Sequence, residues 1–205
     1  MGKPHEERKE EIIKKTLELA AEEGITRLTT QIIADRVGIA QSTIFKHFKT
    51  RDDIFSAAIK WISGQIFSLL EQKTSVESTT PMERLHYLIN RHLALVSKHR
   101  GLPRLLFSDR LHQESPHLKK AAQEIITRYI TLVSDIIREG IKEGQFRNDA
   151  DPEETARCFI ALLQGAIVRW SIFDFSFPIE KEGEVLWRFL WSSLDPHKEE
   201  VRGLL

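Results

Sequence analysis

Gln41, Ser42, Thr43, Lys46 and His47 are spaced to put five hydrogen-bonding side chains along one side of a short helix. Such groups can read base edges and grip phosphate oxygens, chemistry that needs neither a metal nor an activated nucleophile. The charge pattern points the same way. In the whole chain, 30 Lys and Arg balance 30 Asp and Glu. Residues 24–51, however, hold Arg27, Arg36, Lys46, Lys49 and Arg51 against Asp35 alone, five positive groups to one negative. The flanks are slightly acidic, with five basic against seven acidic groups in 1–23 and twenty against twenty-two in 52–205. A concentrated basic patch suits a polyanion, because each neutralised phosphate releases condensed counterions.

Two short helices must position these groups. Thr29 can cap the first, and Thr30, Ile33, Ala34 and Val37 give it an inward stripe. Gly38 can take the left-handed conformation that reverses the chain, and Ile39 plugs the corner. On the second helix Ile44 and Phe48 lie one turn apart and face inward, which leaves the polar residues outside. Two such helices about a glycine turn describe a helix-turn-helix, whose second helix suits a major groove.

The rest of the chain also reads as helix, and the fold class is all-α. Helices are expected near 6–23, 30–37, 41–48, 51–72, 81–99, 103–112, 116–143, 152–173 and 182–194. Their starts are marked by Thr50 with Asp53, Thr80-Pro81-Met82-Glu83, Ser115-Pro116 and Asp151-Pro152-Glu153-Glu154. Gly24, Gly101 followed by Pro103, and Gly140 with Gly144 read as helix ends. Phe173 to Phe177 alternates like a strand but has no sheet to join, so an apolar loop is expected. Thr74 to Thr80 reads as a mobile connection. The expected division is a helix-turn-helix unit, 1–50, and a larger helical body, 51–205.

Other chemistries find little support. His86, His92, His99, His112 and His117 invite a metal, but no HExxH motif is present, and His92 and His99 are about 10.5 Å apart along a helix. No metal and no cofactor are expected. No catalytic motif is recognisable, so the chain reads as a non-enzyme. The lone cysteine, Cys158, lies in a nearly continuous apolar stretch and is expected to be a small core residue. The longest apolar run, Cys158 to Leu163, has six residues, against the roughly 18 to 20 needed to span a bilayer. With no apolar segment behind the charged first eleven residues, a cytoplasmic protein with no membrane contact is expected.

Leu28-Thr29-Thr30, Ile33-Ala34, Val37-Gly38-Ile39, Thr43-Ile44-Phe45-Lys46-His47-Phe48-Lys49 and Arg51-Asp52-Asp53 together resemble the tetracycline-repressor (TetR) family. The match covers about 45 residues, Ile13 to Ile59. Beyond it, the likeness rests on helix count and on Gly144-Gln145-Phe146-Arg147 with Asp151-Pro152-Glu153. The resemblance implies a nine-helix fold and a homodimeric regulator, typically a repressor, that leaves a palindromic double-stranded operator when a small molecule binds the body. It assigns phosphate contacts to Thr29, Thr30, His47, Lys49 and Arg51, and base-facing positions to Gln31, Gln41, Ser42, Thr43 and Lys46. Two positions depart from the family pattern. Ala40 stands where a capping Ser is usual, and Phe45 keeps the ring of the usual Tyr without its hydroxyl.

The resemblance also implies an effector among the body helices. The candidates to line its site are Trp61, Phe67, Leu85, Leu88, Ile89, Leu105, Phe107, Ile125 and Tyr129, with His92 and Arg128 for a polar head. Their apolar excess implies an uncharged or amphipathic molecule. The segment from Ala156 to Phe173 is apolar around most of its circumference and needs burial on two sides. With the family in mind, a second subunit covers one side, and Ala161, Gly165, Trp187, Leu190 and Trp191 are the interface candidates. The alternative is a DNA-binding protein of the same fold regulated by a protein partner, and an effector cavity in the body discriminates the two.

Overall fold

The computed structural model describes residues 4–74 and 79–197, the side chains of 69–74 excepted. Among the described residues the chain is all-helical: α1 (His5–Glu23), α2 (Thr30–Val37), α3 (Gln41–Phe45), α4 (Arg51–Thr74), α5 (Pro81–Lys98), α6 (Gly101–Leu106), α7 (Pro116–Lys142), α8 (Pro152–Ile172) and α9 (Glu182–Leu194). A π-helical turn, Arg110–Glu114, precedes α7, and a short 3-10 turn, Ile179–Lys181, precedes α9.

Local chemistry sets the helix starts. Thr50 and Asp53 form a reciprocal box, in which each backbone amide donates to the other side chain at 2.9 and 3.1 Å. Thr80 and Glu83 do the same for α5, while Ser115 and Asp151 accept from Leu118 and Glu154 amides. These bonds satisfy amides that have no intrahelical partner. At α3, Ala40 offers no side-chain cap.

Two helices differ from expectation. α3 stops at Phe45 rather than 48, because the chain tightens there and the His47 and Phe48 amides both donate to the Ile44 carbonyl at 2.9 Å. The helix expected over 103–112 is α6 followed by the separate π turn, and Gly101 opens α6 instead of closing α5. A Cβ at Gly101 would stand 2.0 Å from the Leu17 carbonyl oxygen, so only glycine lets α6 approach α1 this closely. The Phe173 to Phe177 segment is a loop. Asp174 and Phe175 take positive φ of 49° and 59°, Phe175 packs on Trp170 at 4.6 Å, and the Trp170 indole donates to the Phe177 carbonyl at 2.7 Å. Most of the Thr74 to Thr80 connection lies outside the described residues.

α1, α2 and α3 pack on one another around Ile12, Leu28, Ile33 and Ile44, all fully buried. α4 packs on α1 at one side and on α5 and α7 at another. α7 and α8 form the body's most extensive helix pair, and α9 closes on α5 and α8. Cys158 is exposed on α8, contrary to the expected core position. Ala156, Phe159, Ile160 and Leu163 face inward instead, so the apolar run hides an outer face.

Candidate nucleic-acid interface and effector cavity

The helix-turn-helix is built from caps and one left-handed glycine. Thr29 accepts from the Ile32 amide at 3.2 Å, and Gly38 turns the chain at φ 76°. Ser42, Phe45, Lys46 and Lys49 are then exposed at α3 and just beyond it, with Gln31 exposed on α2. Thr43 is half-buried. Gln41 is also half-buried, and its amide donates to the Thr30 hydroxyl at 2.8 Å, which ties the starts of the two helices together. Gln31 donates to Asp35 at 2.7 Å. Arg36, the one cation of the basic stretch within α2, pairs with Glu22 through both guanidinium ends at 3.1 and 2.7 Å.

His47 stacks on His5 with ring centroids 4.4 Å apart. Burial, then the nearby His5, Lys9 and Arg8, lowers its pKa and favours the neutral ring. Its Nδ1 is buried without a hydrogen bond, so a bond to phosphate has to come from the other ring nitrogen. Arg51, another expected phosphate contact, also has a partner within the chain. Its guanidinium donates to the Leu28 carbonyl and lies over the Phe55 ring at 5.7 Å, joining the α1–α2 loop to the start of α4.

The body holds a partly open cavity of about 280 Å³. Ile59, Ile62, Ser63, Ile66 and Phe67 of α4 line one side, and Ala122, Ile125, Ile126 and Tyr129 of α7 another. Ile160, Leu163, Gln164 and Ile167 of α8 and His92 of α5 complete the walls, with Leu102, Leu106, Phe107, Leu111 and His112 from the α6 segment and the π turn. Five of the sequence candidates therefore meet: Phe67, His92, Phe107, Ile125 and Tyr129. The others do not. Leu85, Leu88, Ile89 and Leu105 are almost wholly buried in the packed core, Trp61 stands edge-on to His99 at 5.2 Å, and the exposed Arg128 lies over the Phe67 ring at 4.0 Å. The α8 lining was missed because its inward stripe is indistinguishable in sequence from core.

Inside the cavity wall, His92 Nδ1 and the Tyr129 hydroxyl are hydrogen-bonded at 2.9 Å. Burial lowers the His92 pKa to about 4 and raises that of Tyr129, so both groups are neutral.

The cavity walls touch the helix-turn-helix unit directly. α6 packs on α1 through Gly101. One residue before the cavity-lining Leu111 and His112, Arg110 donates to Asp52 at 2.7 Å and to Glu114 at 2.9 Å. Burial would raise the Asp52 pKa, but hydrogen bonds from Arg110 and Ser115 outweigh it and hold the carboxyl below its usual range. Asp52 is the neighbour of Arg51, which grips Leu28.

On the outer face, Cys158, Ala161, Leu162, Gly165 and Ala166 of α8 and Leu186 and Phe189 of α9 border an apolar groove. Phe189 and Val185 are 61% and 50% exposed. Leu190 is buried within its own chain. Trp187 packs on His86 at 5.0 Å and Trp191 on Phe146 at 6.3 Å. Within the chain, then, Leu190 belongs to the core, while Trp187 and Trp191 pack against it and stay half-buried.

A helix-turn-helix with a basic outer face, joined to a hollow helical body, defines a DNA-binding transcription regulator. Residues 12–58 match the bacterial regulatory proteins of the tetR family, and residues 62–193 match the YsiA-like protein C-terminal region. The chain belongs to the tetR family. It is 26% identical over 164 residues to the fatty acid metabolism regulator protein of Bacillus subtilis, covering 80% of this chain and 84% of that one. It is also 26% identical over 185 residues to the nucleoid occlusion factor SlmA of Aliivibrio fischeri, covering 89% and 93%. Among solved structures, the transcriptional regulator FadR from Bacillus subtilis in complex with stearoyl-CoA superposes with a TM-score of 0.79 at 24% identity, covering 90% of this chain and 98% of that one. No helix among the described residues is long and apolar enough to cross a membrane.

Proposed function

We propose that this chain is a repressor that binds a palindromic operator as a homodimer and is released when an apolar or amphipathic effector enters the body. The observation that carries the reading is the apolar cavity between α4, α7 and α8, whose α6 wall rests against α1. A concave site lined by aliphatic and aromatic side chains with a few polar groups is built for a small molecule. Similarity to a fatty acid metabolism regulator, and to a structure holding stearoyl-CoA, favours a long-chain acyl thioester of coenzyme A as the effector class. The chain divides functionally at about residue 50, with 1–50 for DNA and 51–205 for effector and dimer.

Thr29, Thr30, His47, Lys49 and Arg51 approach phosphates, and Gln31, Gln41, Ser42, Thr43 and Lys46 face bases, with Phe45 in apolar contact beside them. The groove on α8 and α9 is the dimer surface, which supplies the two-fold symmetry that a palindrome requires. Effector binding alters the cavity wall formed by α6 and the π turn, and the α6–α1 contact with the Arg110–Asp52 pair transmits that change to the DNA-binding unit. To act as a release signal, the effector must bind the DNA-incompetent state more tightly than the competent one.

An operator selected from random duplexes, then titrated with protein with and without stearoyl-CoA, tests the reading. Weakened operator binding is expected. The alternative is regulation by a protein partner, and a selected operator whose affinity no acyl thioester alters would favour it.

A further inference from the structure

We infer that the His92–Tyr129 pair recognises a hydroxyl group carried on the apolar part of the effector. This rests on the reading of the cavity as the effector site. The pair comes from two helices, α5 and α7, with its rings stacked 5.4 Å apart. His92 is half-buried, Tyr129 is buried, and both line the cavity.

The hydrogen-bond inventory decides what the pair can accept. If the Tyr129 hydroxyl donates to His92 Nδ1, then Nε2–H remains a donor and the phenolic oxygen an acceptor. If Nδ1–H donates instead, the Tyr129 O–H remains a donor and Nε2 an acceptor. In either tautomer one donor and one acceptor are left over, and a hydroxyl, which both donates and accepts, matches them. A methylene leaves both unmet. A carboxylate would bring a full charge against a neutral pair, with no Lys or Arg among the lining residues. The other polar groups of the lining are placed differently: the Ser63 hydroxyl already donates to the Lys60 carbonyl at 2.9 Å, Gln164 enters from α8 on another wall, and His112 is exposed on the π turn.

The sign of the effect makes the inference testable. A hydroxyl buried in an apolar cavity without a partner weakens binding, whereas one that meets the pair strengthens it. Affinities of the full-length protein for stearoyl-CoA and for a positional series of hydroxystearoyl-CoA thioesters would be measured by calorimetry. At least one position should bind about tenfold more tightly than the unsubstituted chain, as one well-made hydrogen bond allows. In Tyr129→Phe and His92→Leu that advantage, read as the ratio of hydroxylated to unsubstituted affinity within each variant, should vanish or reverse. If stearoyl-CoA binds but no hydroxylated chain binds better, or if the preference survives both substitutions, the inference is overturned. If neither kind of chain binds, the effector reading itself falls and takes the inference with it.

Discussion

Replacing Gly101 by alanine tests the joint between body and DNA-binding unit. The added Cβ would stand 2.0 Å from the Leu17 oxygen, 2.8 Å from the Leu17 carbonyl carbon and 2.9 Å from the Ala20 Cβ. Two of these atoms are backbone in the middle of α1 and cannot move alone. To restore ordinary contact, α6 must draw back from α1 by more than about 1 Å, which opens the interface along its length. Overpacking of this kind costs about 1–3 kcal/mol, and alanine recovers at most about 1 kcal/mol of helix propensity. The expected net loss is ~1–2 kcal/mol, and for a chain of this size each kcal/mol lowers the melting temperature by about 2–4 °C. Gly64 gives the contrast. It is exposed in α4 with nothing within 4 Å of an added Cβ, so Gly64→Ala should stabilise by about 0.5–1 kcal/mol. Thermal and urea unfolding of the two variants beside the parent protein would read the difference. If Gly101→Ala melts at or above the parent temperature, the close packing of α6 on α1 is refuted.

Ala40→Ser should stabilise the protein by at most ~1 kcal/mol by capping the Ser42 amide, since the Thr43 amide already donates to the Ala40 carbonyl at 2.8 Å, and an unchanged or lower melting temperature would refute the missing cap. Lys46→Ala should weaken binding to the selected operator and change base preference, while Lys49→Ala weakens selected and random duplex alike; identical losses on both DNAs would contradict the assignment. Gly165→Glu should convert a dimer into monomers in sedimentation, because it puts a charge into the apolar groove of α8 and α9, and an intact dimer of the folded variant would move the interface elsewhere. Burial holds the His92 pKa at about 4 instead of 6.5, and a base whose folded value is depressed contributes stability above its unfolded value. That contribution is lost as pH falls from 6.5 towards 4, because only the unfolded chain takes up the proton. The parent protein should lose stability over that range more steeply than His92→Leu, by up to ~1.4 kcal/mol per pH unit, and parallel profiles would refute the buried position.

The legible parts of the structure were those written in local chemistry. Thr50, Thr80, Ser115 and Asp151 are caps that act within three residues, and each opens the expected helix. The Gly38 turn and the inward Ile33 and Ile44 are likewise local. What stayed hidden depends on the space between helices. Leu85, Leu88 and Ile89 have the same apolar spacing whether they fill a core or line a hollow, and they fill a core. Ile160, Leu163 and Ile167 line the cavity with no sequence mark to distinguish them. Cys158 was misplaced because α8 is apolar on both faces, so hydrophobicity did not say which one turns outward. The Arg51 bond to Leu28 and the Arg110 bond to Asp52 cross 23 and 58 residues of sequence, beyond the reach of any periodicity.

Linkage between the two sites offers the most direct test of the account. The dissociation constant of stearoyl-CoA would be measured for the protein alone and for the protein saturated with selected operator, at one salt concentration, since operator affinity depends on salt. If cavity occupancy and DNA binding are coupled, the ligand must bind the operator complex more weakly by the same factor by which it loosens the operator, expected in the range of roughly 5- to 150-fold. Equal ligand affinity with and without operator would mean that filling the cavity leaves DNA binding untouched, and would contradict the account.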